Sequence, residues 1–250
     1  MRRDLLVAGP GFVLGLCLAA CTAGPSGTPT VAPTPVVVRV AATDMGESLA
    51  RDLAEAYREV RPDVTILIVP ATEPDAHVLI AAEIEPAGSG FRSPLGGVKL
   101  VPAMAAAAAP PTLSAAQLAA VLSGEVEDWA QVGGSPGPIT VVTRESESEA
   151  ERLITQRFGL GVAPPTARVA PGWAASRALI SGTAGAIGVL PSPETDATLR
   201  VLSTSLSIMI GLEARAANEP TGVVRDWLAW AQSPAGQFVV AERHIPLAAP

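Results

Sequence analysis

The strongest constraint on folding lies between Leu113 and Phe158, where a helix, a strand and a second helix follow one another with punctuation at each joint. Ser114 and Gln117 have the spacing of a reciprocal N-terminal cap. Leu118, Val121 and Leu122 then give one apolar helical face, and Gly124 suits the left-handed residue that ends such a helix. A helix over Leu113 to Ser123 follows. GSPGP turns the chain, Ile139 to Val142 is a short β-branched run, and polar Thr143 to Glu149 opens a second periodic stretch with Leu153, Ile154 and Phe158, closed by Gly159.

The same alternation recurs on either side. Val36 to Ala41 reads as a buried strand and Ser48 to Val60 as an amphipathic helix with Leu49, Leu53, Ala56 and Tyr57 on one side. Strands are expected at Val64 to Val69, Ala76 to Ala82, Val98 to Ala105, Ala186 to Leu190, Leu199 to Ser203 and Leu206 to Leu212. Helices are expected at Ala174 to Ile180, Gly222 to Gln232 and Ala235 to Arg243. Strand and helix in alternation argue for an α/β protein with mainly parallel sheets. One joint conflicts with that plan. Only Pro70 to Asp75 separate two expected strands, whereas a parallel crossover normally takes about a dozen residues. Either the two strands form a hairpin or they are not sheet neighbours.

The leader has its own logic. MRRD followed by LLVAGPGFVLGLCLAA is a basic start, an apolar stretch and small residues, as in a secretory signal over residues 1 to 20. Cys17 and Cys21 are the only cysteines, so no pair remains for an intrachain disulfide once that segment is removed. Residues 22 to 35, rich in Pro, Gly, Ser and Thr and free of charge, read as an extended tether. The formal charge is −7, and loss of Arg2, Arg3 and Asp4 takes it one unit further negative, which disfavours nucleic-acid partners.

Four segments carry a resemblance: LSAAQLAAVLSGEVEDW from Leu113, ATDMGESLARDLAEAYREVRPDV from Ala42, AGAIGVLP from Ala184, and GVVRDWLAWAQSPAGQFVVAERHIPL from Gly222. Together they resemble the phosphate-type substrate-binding proteins of ABC importers, and Leu18-Ala19-Ala20-Cys21 resembles a bacterial lipobox. The resemblance implies a two-lobed periplasmic-binding-protein-like (type II) fold. Residues 36–105 and 195–250 would form one lobe and 106–194 the other, with the ligand in the cleft between them. It further implies lipidation at Cys21, anchoring on the outer face of the cytoplasmic membrane, a small anion such as phosphate as ligand, and an ABC permease as partner.

An anion cleft of this kind works through helix N-termini, hydroxyl donors and an arginine. Arg144 falls on the family's arginine and Ser148 on its serine, while Glu145, Ser146, Glu147, Glu149 and Ala150 stand where Ser, Asp, Gly, Gly and Thr are expected. Three carboxylates so placed oppose an anion. Either they serve the start of the next helix, since Ser146 with Glu149 and Ser148 with Glu151 have capping-box spacing, or the site is reshaped for another ligand. Thr43 and Asp44 lie in the first strand-to-helix turn, where Thr43 can donate to a ligand. Asp44 either contacts ligand or caps the helix with Glu47. Arg144, Ser148, Thr43, Asp44 and Ser146 are therefore the expected ligand-binding residues. The aspartate that the family carries near Ile80 is missing.

The remaining candidates carry less. His77 and His244 lack a companion ligand pattern and read as structural or surface residues, so no metal and no cofactor is expected. Trp129, Trp227 and Trp230 read as core. A nucleophile elbow, a Ser/His/acid arrangement and a phosphate-binding loop are all missing, which leaves catalysis without support. Two functions fit: a lipid-anchored solute-binding protein, or a non-transport lipoprotein that uses the same fold as a sensor or interaction module.

Overall fold

The computed structural model describes residues 35–83, 89–105, 112–204 and 208–248. The leader, Cys21 and the tether through residue 34 lie outside the described residues, as does the start of the strand expected from Leu206. In chain order the elements are β1 (Val36–Ala42), α1 (Glu47–Val60), β2 (Val64–Pro70), β3 (Val78–Ala82), β4 (Phe91–Ala105), β5 (Thr112–Leu113), α2 (Ala115–Leu122), β6 (Thr140–Arg144), α3 (Glu149–Phe158), β7 (Arg168–Ala170), α4 (Trp173–Gly182), β8 (Ala186–Pro191), β9 (Leu199–Val201), β10 (Ser203–Thr204), β11 (Ile208–Ala216), α5 (Gly222–Gln232) and α6 (Pro234–Arg243).

The α/β class is as the alternation implied. A single sheet runs β2-β1-β3-β11-β4-β8-β6-β7, with β9 also on β4, and β10 pairs β5 separately. Pairing is parallel at both ends, among β2, β1 and β3 and among β8, β6 and β7. It turns antiparallel in the middle, where β11 and β4 run against their neighbours.

The short connection after β2 is resolved by stagger. β2 and β3 flank β1 on opposite sides and do not pair with each other. β3 starts high, with Val78 beside Val40, while β2 ends with Pro70 beside Ala42. The connection therefore retraces only a couple of residues along the strand axis and crosses two strand spacings, roughly 10 Å. The few residues between Pro70 and Val78 reach that far without a helix.

β4 is longer than the expected Val98 to Ala105, because Pro94, Gly96 and Gly97 look like strand breakers. They sit instead at a bulge. The ladder with β11 slips between Leu212 and Glu213, whose partners are Gly96 and Pro94, and leaves Leu95 without an opposite residue. A proline is tolerated at such a point because no ladder bond is asked of it. Gly96 is also approached by the C-terminal segment, where an added Cβ would stand 2.8 Å from the Ile245 carbonyl oxygen. β4 serves two sets of neighbours, pairing with β11 from Phe91 to Leu100 and with β8 from Leu100 to Met104.

Helices cover the sheet with the faces read from the sequence. Leu49, Leu53 and Tyr57 of α1 are buried, and Ser114 and Gln117 form the reciprocal cap of α2. Trp129 and Trp227 are fully buried, and the Trp230 ring lies 5.1 Å from that of Tyr57. His244 is buried against Asp52, Nε2 to Oδ2 3.1 Å, which ties α6 to α1. His77 closes the start of β3, its backbone N–H donating to the Arg39 carbonyl oxygen.

One distance reports how far the sheet bends. β1 and β6 are separated by four strands, which in a flat sheet would hold them roughly 24 Å apart. Yet the turns that follow them touch: Arg144 at the end of β6 donates to Asp44 just beyond β1 at 3.1 Å. The sheet therefore curls round and brings two strand-to-helix turns face to face.

Candidate functional site: two facing strand-to-helix turns

Each turn supplies one donor and one carboxylate, and the two sets are exchanged. Arg144 Nη2 donates to Asp44 Oδ2, while the Thr43 hydroxyl donates to Glu149 Oε2. Glu149 Oε2 also accepts from the Ala82 backbone N–H, 3.4 Å away at the end of β3. The guanidinium of Arg144 lies 4.6 Å from the Trp173 ring centroid, and the Trp173 indole N–H donates to the Asp44 carbonyl oxygen at 2.8 Å. That stacking favours a cation held away from water.

Arg144 is 7% exposed and Asp44 18%. Arg144 Nε and Nη1 and Asp44 Oδ1 are buried without hydrogen-bond partners among the described residues. The arginine thus retains two unspent donors, a costly condition in a buried group. Burial pushes the Asp44 carboxyl above its ordinary 3.8, against the pull of Arg144 and of the backbone N–H groups of Ala150 and Met45. Burial likewise pushes Glu149 above 4.5, opposed by the Thr43 hydroxyl and the Ala82 N–H.

Glu151 completes the second turn. Its carboxylate accepts from the Arg144 backbone N–H at 3.0 Å, and burial raises its pKa. Behind Ala82, Arg215 donates to the Ala82 carbonyl oxygen and to Glu213. Glu213 is nearly buried, which opposes its ionisation, yet hydrogen bonds from Arg92 and Arg215 hold its pKa below 4.5.

Of the expected residues, Thr43, Asp44 and Arg144 converge. Ser148 spends its hydroxyl as the cap of α3, accepting from the Glu151 N–H at 3.1 Å. Ser146 is exposed, without a hydrogen-bond partner among the described residues, so the Ser146–Glu149 cap is not formed. Glu149 turns across to Thr43 instead. Nor does Asp44 cap α1, whose N-cap is Gly46 with no side-chain hydrogen bond. Arg144 draws the Asp44 carboxylate away from α1, and the Thr43 hydroxyl and Ala82 N–H hold that of Glu149.

Trp173 was missed among the site residues. Its one signal is the Pro-Gly-Trp sequence ahead of α4, which leaves the ring at a helix start. Among the described residues no three His, Cys, Asp or Glu side chains gather as metal ligands would.

The sequence of residues 77–221 matches the family model described as a PBP superfamily domain. The chain belongs to the PBP superfamily. Solved structures share this fold. A protein of Clostridium perfringens assigned as a phosphate ABC transporter substrate-binding protein, solved with bound phosphate, superposes with a TM-score of 0.77 at 18% identity, covering 85% of this chain and 100% of that one. An ABC-type phosphate transport receptor from Vibrio cholerae gives 0.65 at 18% identity, over 84% of this chain and 99% of that one. The CcmR regulatory domain from Synechocystis in complex with 2-PG gives 0.56 at 12%, over 83% and 97%. At these identities the likeness extends to the fold. No curated protein matches the sequence.

Proposed function

We propose that this PBP-superfamily chain is an extracytoplasmic solute-binding protein of the phosphate type, lipidated at Cys21, tethered by residues 22 to 35, and delivering a small anion to an ABC permease. The ligand would lie where the two turns meet, between a lobe of residues 36–105 and 195–250 and a lobe of 106–194, with β4 passing between them. The observation that carries this reading is the nine-tenths buried Arg144, which keeps two donor nitrogens unspent at the convergence of Thr43 and the start of α3. Each of these nitrogens can donate a charge-assisted hydrogen bond to an oxyanion. The leader and lipobox sequences support the outer-face location, and a protein of the same fold that was solved with phosphate supports the ligand class.

A second reading, a sensor or interaction module without transport, is favoured by the carboxylates that already engage Thr43 and Arg144. Calorimetry of the intact chain in detergent against phosphate separates the two. Micromolar or tighter binding that is lost in Arg144→Ala is the expected result. Absence of heat from a folded protein would remove the anion-binding reading and favour the module.

A further inference from the structure

We infer that Glu149 is a tethered competitor: its carboxylate occupies the oxyanion position between Thr43 and Ala82, and a free anion enters only when that carboxylate leaves. This rests on the solute-binding reading above and names the residue that sets its specificity and its dependence on pH.

The two donors that Glu149 takes, a hydroxyl from the first turn and a backbone N–H from the end of β3, come from different elements and converge on one carboxylate oxygen. Glu149 is the first residue of α3, so its carboxylate also enjoys the positive end of that helix. These are the donor types an oxyanion requires. A side chain of the protein meets them, with an effective concentration that no dissolved ligand matches. Nothing comparable is read from the sequence, because Thr43 and Glu149 lie 106 positions apart.

The displaced carboxylate has a destination. Ala82, Glu83, Glu149, Arg152, Arg157 and Gly211 border a common cleft of about 370 Å³. Arg152 stands one turn along α3 from Glu149, the spacing at which opposite charges on a helix meet. Arg152 and Arg157 make no ion pair with another described residue, so a swung-out Glu149 finds a cation there.

The charges that face Glu149 are mixed. From the first turn comes Asp44, from the end of β3 Glu83, from α3 itself Arg152 and Arg157 across the shared cleft, and from β11 Arg215, which is itself engaged by Glu213 and through it by Arg92. Asp44 repels a second negative charge and Arg215 attracts it. Protonation of Glu149 removes the negative charge that an incoming anion must otherwise displace, so anion affinity rises as the pH falls toward the Glu149 pKa.

The test is calorimetry of the intact chain and of Glu149→Gln, in detergent, against inorganic phosphate at pH 8 and pH 5. The ratio of the two affinities at each pH cancels the titration of phosphate itself. Glutamine keeps the size of the side chain and an oxygen for Thr43 and Ala82, and a thermal melt verifies that the variant is folded. The expected result is a variant that binds about tenfold or more tightly at pH 8, as loss of a like charge a few Å away requires, with the ratio shrinking at pH 5. Equal affinities at both pH values, with phosphate bound, overturn the competitor and leave the solute-binding reading standing. No binding by either folded protein overturns both.

Discussion

The two strand-to-helix turns of the site are built alike and held differently. The turn after β1 has no side-chain cap on its helix: Gly46 is the N-cap, and Thr43 and Asp44 are free to reach outward. The turn after β6 caps α3 with the Ser148 hydroxyl and fixes its own backbone through Glu151 and the Arg144 N–H. One turn is thus internally satisfied and aims Arg144 and Glu149 from a fixed base. The other closes its backbone through the Gly46 N–H to the Thr43 carbonyl oxygen and leaves its helix without a side-chain cap. Two loops can therefore share a pattern of strand, polar residues and helix while only one of them spends side chains on its own helix start.

The sharpest way to break the comparison is Arg144→Ala. It leaves the Asp44 carboxylate buried and unpaired, so a loss of about 3–5 kcal/mol in urea unfolding is expected, and Asp44→Asn in the same chain should return part of it. If the second turn is the fixed base, Asp44→Asn alone costs clearly less than Arg144→Ala. Next comes Trp173→Phe, which removes the indole donor to the Asp44 carbonyl and weakens the stack on Arg144. A loss of about 1–3 kcal/mol is expected in the same assay.

Glu149→Gln tests the exchange from the other side and has a definite sign. The folded-state pKa of Glu149 is raised, so the wild type gains stability as it takes up the proton, fully below 4.5, and loses that gain as the pH rises through the raised value. The variant should melt higher than the wild type at pH 8, and the gap should narrow as the pH falls through the raised value and stop changing below 4.5. Smaller is Ser148→Ala, about 1 kcal/mol for a lost cap, and it should fray α3 without touching the first turn. Least of all are Glu145→Gln and Glu147→Gln. Both residues are exposed, and changes within about 0.5 kcal/mol are expected.

The sequence made some of this legible and not the rest, for reasons of range. The capped start of α2, its closing Gly124 and the apolar face of α1 depend on residues within a turn or two, and all three stand as expected. Arg144 and Thr43 were placed by motif, and they do converge. What those residues bind within the chain was not legible: the Thr43–Glu149 and Asp44–Arg144 contacts span about a hundred positions, and only the curl of the sheet closes them. Local spacing offered Glu149 a cap with Ser146 or a place in a reshaped site, and could not show that its carboxylate reaches Thr43 and Ala82. The full length of β4 was hidden for the converse reason, because Pro94 and Gly96 break an ideal strand and fit a bulged one. A six-residue link looked too short until the stagger of β3 against β1 showed how little it must span.

That stagger also has a mechanical meaning. β1 begins at Val36, runs parallel to β2 over its full seven residues, and is flanked on the far side by β3 only near its end. A pull on the chain entering at Val36 draws β1 along its own axis, so the bonds to β2 share the load together instead of parting one at a time. Tension applied at Val36 would thus meet a strand that resists by sliding, with the whole ladder opposing it at once.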